Sequence, residues 1–125
     1  MELDQKFEYL FVESQGAISD PIRASVSIGI LHGTKPDAVI LSFLPETAND
    51  ADLVIRGYEN YKSVLKQIVK ADLIGLALNT ALLSEEDASS LIQQVKEKIH
   101  LPVIDPVRFG VSDIVQVLKS VEKLP

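Results

Sequence analysis

Leu73-Ile74-Gly75-Leu76-Ala77-Leu78 is an unbroken apolar run that stops at Asn79-Thr80. A short uncharged run bounded by turn formers reads as a strand, and a strand apolar on both faces belongs in a parallel sheet covered on both sides. Three more runs end in the same manner. Phe7 to Val12 meets Glu13-Ser14-Gln15-Gly16, Ala38 to Phe43 meets Leu44-Pro45-Glu46-Thr47, and Pro102 to Ile104 meets Asp105-Pro106-Val107-Arg108-Phe109-Gly110. Segments of helical length separate them, so the chain reads β-α-β-α-β-α-β-α. The expected fold is α/β: one domain over residues 1–125, three layers α/β/α, with a four-stranded, mostly parallel sheet. Ligands of such sheets bind outside the carboxyl ends of the strands, which is where the polar clusters fall.

The segments between the runs carry helix signals. Asp20-Pro21 supplies a cap and a first-turn proline, and Gly33 with Pro36 closes the helix from Ile22 to about His32. That helix holds a single charge, Arg23, and is apolar nearly all round, which predicts deep burial. Leu44 to Asp52 reads as a surface loop, and Tyr58, Tyr61, Val64, Leu65, Ile68 and Val69 follow helical spacing, with residues 53–57 ambiguous. Ser84-Glu85-Glu86-Asp87 caps a helix whose buried stripe is Ala88, Leu91, Ile92, Val95 and Ile99. Ser112-Asp113 opens the last one.

Bulk properties narrow the function. A length of 125 residues suits one domain that buries about two-thirds of its unfolded surface. The net charge of −6 opposes a nucleic-acid surface, which requires a basic stripe. No apolar stretch reaches membrane-spanning length, the N-terminus lacks signal-peptide character, and the absence of cysteine fits a reducing cytoplasm. Two histidines without cysteine argue against zinc. The expected partner is a small-molecule ligand, with no nucleic acid and no membrane.

Several residues at the strand ends carry two readings each. Glu13 closes a strand that reads as buried, where a carboxylate needs a partner. It suits a magnesium or substrate ligand, or else a solvated strand end. Gln15-Gly16 follows, and glycine lets a ligand approach the backbone. Asn79-Thr80 suits the reading of a base or carboxylate, or else a simple turn. Asp105 and Arg108 suit either an ion pair bracing the last loop or an anion-binding arginine with its orienting aspartate. His32 is read as a helix C-terminal histidine favoured by the dipole. Gly33-Thr34-Lys35 follows a helix, whereas a phosphate loop follows a strand, so it is set aside.

Taken in order, four stretches resemble a known family: 12–21 (VESQGAISDP), 29–38 (GILHGTKPDA), 75–80 (GLALNT) and 101–110 (LPVIDPVRFG). They are similar to the C-terminal portion of the D-glutamate N-acetyltransferase-like family, long catalogued as a domain of unknown function. More distantly they resemble dethiobiotin synthetase and other P-loop proteins. The family has glycine where Ser14 stands and histidine where Asp20 stands. It also has a preceding Rossmann-like domain and a phosphate-binding loop with its lysine, and no Gly-x-x-x-x-Gly-Lys-Ser/Thr occurs in this chain. The resemblance implies the distal half of a nucleotide- or acyl-CoA-type site, inactive alone, with acetyl-CoA or ATP and Mg as cofactors of the full-length family. By it, Glu13 is the catalytic residue, holding a metal or a substrate ammonium. Gln15 and Gly16 line the ligand, Asn79 and Thr80 contact a base or polar tail, and Arg108 beside Asp105 takes an anionic group. A first strand without its family neighbour implies a homo-oligomer or a missing N-terminal half. The competing reading is a non-catalytic interaction or regulatory domain that keeps the fold.

Overall fold

The structure, a computed structural model, describes residues 8–121. Its elements are α1 (Ala24–Thr34), β1 (Ala38–Phe43), α2 (Ala51–Ile68), β2 (Asp72–Leu78), α3 (Glu85–Ile99), β3 (Val103–Ile104) and α4 (Ser112–Val121). The sheet order is β1-β2-β3 and both pairings are parallel. Sequential strands joined through helices therefore lie side by side, as short crossover connections favour.

The two sheet faces differ. Leu41 on β1 and Leu76 and Leu78 on β2 join Val54 and Tyr58 of α2 and Ala88, Leu91 and Val95 of α3 in one core. A register shift falls between Val39 and Ile40, where Val39 pairs with Leu73 but Ile40 pairs with Gly75. One extra residue on β2 reverses which face follows, so Leu73 and Leu76 both pack toward that core. Gly75 faces α4, and a Cβ there would stand 3.1 Å from both Ile114 Cδ1 and the Pro102 carbonyl. Gly57 is needed in the same sense: a Cβ would lie 2.7 Å from the Phe43 ring.

Helix ends follow the sequence closely at α3. Ser84 Oγ accepts the Asp87 N–H at 3.1 Å, acids fill the first turn, and His100 ends the helix in the left-handed region at φ 53°. In α2 the ambiguous residues 53–57 are helical, because Ala51, Val54, Tyr58 and Leu65 form one buried stripe. The irregular stretch before it is self-bonded. Asp50 Oδ2 accepts the N–H groups of Glu46 and Thr47 at 2.7 and 3.0 Å, and Pro45 is buried.

Two expectations are corrected. The sheet has three strands among the described residues, not four: residues 8–13 form no ladder, and Phe7 lies outside the described residues. Leu10, Phe11 and Val12 are exposed there, since an apolar strand gains nothing without a neighbour to pair with and a face to cover. Similarly, α1 is not deeply buried. Ser27 is its buried residue, Ile28 is half-buried, and Val26 is 53% exposed. An apolar surface on every side of a helix can be hidden only by neighbours on every side, and the described residues do not supply them.

This sets a ranking of core substitutions. Leu76, fully buried between α2, α3 and the sheet, costs about 2–5 kcal/mol as Leu76→Ala. Ile28→Ala costs clearly less, because its side chain is already half solvated. Urea midpoints of the two variants check the order, and a larger loss at Ile28 means that α1 is covered in solution.

Candidate functional site

Parallel β2 and β3 deliver Asn79-Thr80 and Asp105 to the same sheet edge, each directly after its strand. Asp105 is 2% exposed and Thr80 is fully buried. Such a buried carboxylate demands partners, and four donors supply them. Thr80 gives its hydroxyl and its N–H (3.3 Å) to Oδ2, while the N–H groups of Val107 and Arg108, both at 3.0 Å, reach Oδ1. Burial raises the cost of the charge on Asp105, but these hydrogen bonds outweigh it and hold the carboxyl below its usual range.

Arg108 completes the brace from the other side. Its Nη2 donates to the Thr80 carbonyl at 3.1 Å and to the Leu83 carbonyl at 2.6 Å, and Nε stands 3.8 Å from Asp105 Oδ2. The residues thus tie the loop after β2 to the loop after β3. Asn79 joins the same edge: its N–H reaches the Phe43 carbonyl at 2.8 Å, and Oδ1 accepts the Ala81 N–H at 3.1 Å. Two donor groups stay uncommitted among the described residues, Nδ2 of Asn79 and Nη1 of Arg108. Exposed Leu82, Val107 and Phe109 stand in the same two loops. Paired N–H donors in apolar surroundings suit a ligand rich in acceptor oxygens.

Glu13, Gln15 and Gly16 are placed elsewhere. Glu13 is exposed on the segment that forms no strand. The carbonyls of Gln15 and Gly16 both accept Ser27 Oγ, at 2.6 and 2.7 Å, and Ile18 N–H donates to Tyr61 Oη at 2.9 Å, past the middle of α2. Gly16 has φ 81°, and the space a Cβ would take is filled by Arg23, with Cβ at 2.7 Å. No hydrogen bond joins this segment to the Asn79–Asp105–Arg108 group among the described residues. Asp20 does not cap α1 itself, whose N-cap is Arg23 without a side-chain bond; its Oδ1 accepts the N–H groups of Ile22 (2.8 Å) and Arg23 (3.3 Å) in the turn that leads into the helix. Sequence reasoning missed Ser27 and Tyr61, whose signal was a lone hydroxyl on an apolar helix and a phenol within a core stripe. It also missed Leu83, which contributes only its carbonyl and leaves no sequence signal.

A cleft of about 240 Å³ between α3, β3 and the loop after it includes Ile92, Ile104, Asp105 and Phe109. A larger groove of about 510 Å³ lies toward the other end of the sheet, at His100 and Pro102, and carries the Lys96–Asp113 ion pair at 3.4 Å. No three His, Cys, Asp or Glu residues among those described gather as a cation site.

The lowered Asp105 pKa fixes a pH dependence. A carboxyl whose folded pKa lies below the unfolded value of about 3.9 contributes stability above that pH. The contribution is lost as pH falls through the folded value. Wild type therefore loses an increment of stability on acidification below about pH 4 that Asp105→Asn lacks. At pH 7 Asp105→Ala strands Thr80 and two loop N–H groups and costs about 3 kcal/mol or more. Denaturant midpoints across pH for the three proteins check both statements.

Comparison with known proteins agrees with the parallel α/β architecture. A solved DUF1611 family protein from Anabaena variabilis superposes with TM-score 0.79 at 22% identity, covering 95% of this chain and 37% of that one. A D-glutamate N-acetyltransferase of Tritonibacter scottomollicae is 30% identical over 118 residues, 88% of this chain and 35% of that protein. Another of that name, from a Pseudoalteromonas species, is 27% identical over 112 residues, 83% of this chain and 34% of its own length. The chain thus spans about a third of the length of the curated relatives it matches. A family model described as the C-terminal P-loop domain of a domain of unknown function, DUF1611, matches residues 1–115, and the chain belongs to that family.

Proposed function

We propose that this chain is the C-terminal ligand-binding part of a D-glutamate N-acetyltransferase-like protein, working on the cytoplasmic side and inactive without the rest of the site. The observation that carries this is two donors at the carboxyl edge that stay uncommitted among the described residues, Asn79 Nδ2, oriented by the Ala81 N–H on Oδ1, and Arg108 Nη1, on a guanidinium braced by the Thr80 and Leu83 carbonyls beside buried Asp105. They suit an acceptor-rich ligand, acetyl-CoA or ATP with Mg. Asn79 meets the base or polar tail and Arg108 an anionic group, while Thr80 and Asp105 hold both in place. Glu13, with Gln15 and Gly16 behind it, is assigned the metal or substrate ammonium. That role needs the N-terminal segment to reach the carboxyl edge once the missing part is present.

Transfer chemistry needs preorganised positive charge where negative charge develops. Phosphate affinity in this fold class comes from backbone amides at a helix N-terminus and a lysine, and the chain has no such loop. A second reading, a non-catalytic interaction domain, draws support from one observation: Arg108 Nη2 and both Asp105 oxygens serve the internal brace.

Calorimetry separates the readings. The isolated chain binds acetyl-CoA or Mg-ATP at about millimolar or weaker, for want of a phosphate cradle. Adding the remaining part of the protein restores binding. Arg108→Ala then weakens it by about tenfold or more, as expected for a charge-assisted hydrogen bond, whereas His32→Ala leaves it unchanged. Micromolar affinity in the isolated chain, or the reverse ranking of the two variants, overturns the proposal.

A further inference from the structure

Val103 is 1% exposed, yet its place in the ladder turns its main chain away from β2. It stands opposite Leu76, and Leu76 gives its N–H to the Pro102 carbonyl at 2.9 Å. In a parallel pair with that bond, the opposite residue directs its own N–H and C=O outward. Neither group of Val103 has a hydrogen-bond partner among the described residues. Buried main-chain groups are nearly always paired, and an orphaned donor and acceptor side by side ask for a partner. Val103 lines the cleft of about 240 Å³ between α3, β3 and the start of α4. Ile92, Ile104 and Phe109 give that cleft an apolar lining, and its two helices bring Lys96 and Asp113 to it. Their ion pair is loose. Nζ stands 3.4 Å from Oδ2, against about 2.7–2.9 Å for a close charge-assisted bond, and both side chains are more than a third exposed. Lys96 keeps two further N–H donors and Asp113 keeps Oδ1 uncommitted among the described residues.

We propose that this cleft is a binding site for a free α-amino acid with an apolar side chain. Its ammonium donates to the Val103 carbonyl and to Asp113, its carboxylate accepts from the Val103 N–H and from Lys96, and its side chain lies against Ile92 and Phe109. Two charges of opposite sign beside one neutral donor and one neutral acceptor match a zwitterion at both ends. A simple anion or cation meets one of the two side chains as a like charge. An extended peptide can use the same main-chain pair, but β3 is two residues long and Pro106 follows within two residues, so no run of further pairs is on offer. The neutral main chain of a peptide also leaves Lys96 and Asp113 without new partners. The volume lies below the ~300 Å³ at which pockets for drug-sized ligands begin, which suits a smaller molecule. Neither Asn79 nor Arg108 lines this cleft, so the inference stands apart from the transferase reading.

The test titrates the isotope-labelled chain with L-leucine, without any acetyl donor, and follows its amide resonances by NMR. The Val103 amide should shift saturably, with half-saturation below about 10 mM. Leucinamide lacks the carboxylate and N-acetyl-leucine lacks the ammonium, so each should bind about tenfold or more weakly. L-leucine should lose a similar factor on Lys96→Gln and on Asp113→Asn. Both variants should keep the wild-type urea midpoint closely, because an exposed ion pair contributes little to stability. The exchanged pair, Lys96→Asp with Asp113→Lys, restores an ion pair between the helices but should not restore binding, since the Val103 N–H and C=O fix which end of the amino acid goes where. No saturable shift at Val103 by about 10 mM overturns the proposal. So does equal binding of the three compounds, which reduces the cleft to an apolar crevice, and so does full binding by the exchanged pair, which removes Val103 from the site. Acetyl transfer is not read in this titration, so failure here leaves the transferase reading untouched, and failure of that reading leaves this site in place.

Discussion

A single buried carboxylate organises the carboxyl edge of this protein's sheet. Asp105 sits at the end of a two-residue strand too short to fix the loop that follows, and it compensates by using both oxygens twice. One oxygen gathers the Thr80 side of the site and the other folds the chain back over Val107 and Arg108. The guanidinium then reaches across to the Thr80 and Leu83 carbonyls. Neither loop has secondary structure of its own, so their relative position comes from this network. A low-dielectric setting makes such a network strong when complete and costly when broken, which is why every partner here is accounted for.

That brace gives one of two alternatives that spacing leaves open its contacts. Asp105 and Arg108 read in sequence as either a brace or an anion site with its orienting acid. The geometry shows bracing contacts that occupy Nη2 and leave Nη1 uncommitted among the described residues. One arginine can therefore be half structural, and its structural half is what holds the free half still. A donor held in advance would lower the ordering cost of any ligand that used it.

The middle of the chain was legible because its signals are local. The β2 run, the Ser84 cap and the stripe of Ala88, Leu91 and Val95 each act within a few residues, and each folds as read. Thr80 with Asp105 was legible as two strand ends, though not as one network, since hydrogen-bond direction across 25 residues leaves no pattern in sequence. The first strand and the burial of α1 were misread for a shared reason. Periodicity reports what a segment is able to pair with or be covered by, not whether a neighbour is present. Phe11 and Val26 have the right chemistry for a core and stand exposed.

Electrostatics adds a second constraint at the same edge. In a parallel α/β sheet the helix N-termini point to the carboxyl edge and would attract an anion. Here they are already answered: Asp52 stands in the first turn of α2, Glu85, Glu86 and Asp87 in that of α3, and Asp113 in that of α4. These acids stabilise their own helices and cancel the attraction a phosphate would feel. With a net charge of −6 behind them, the guanidinium of Arg108 works against its surroundings rather than with them. An anionic ligand at this edge would therefore need a further source of positive potential, because the chain's own helices have given theirs up.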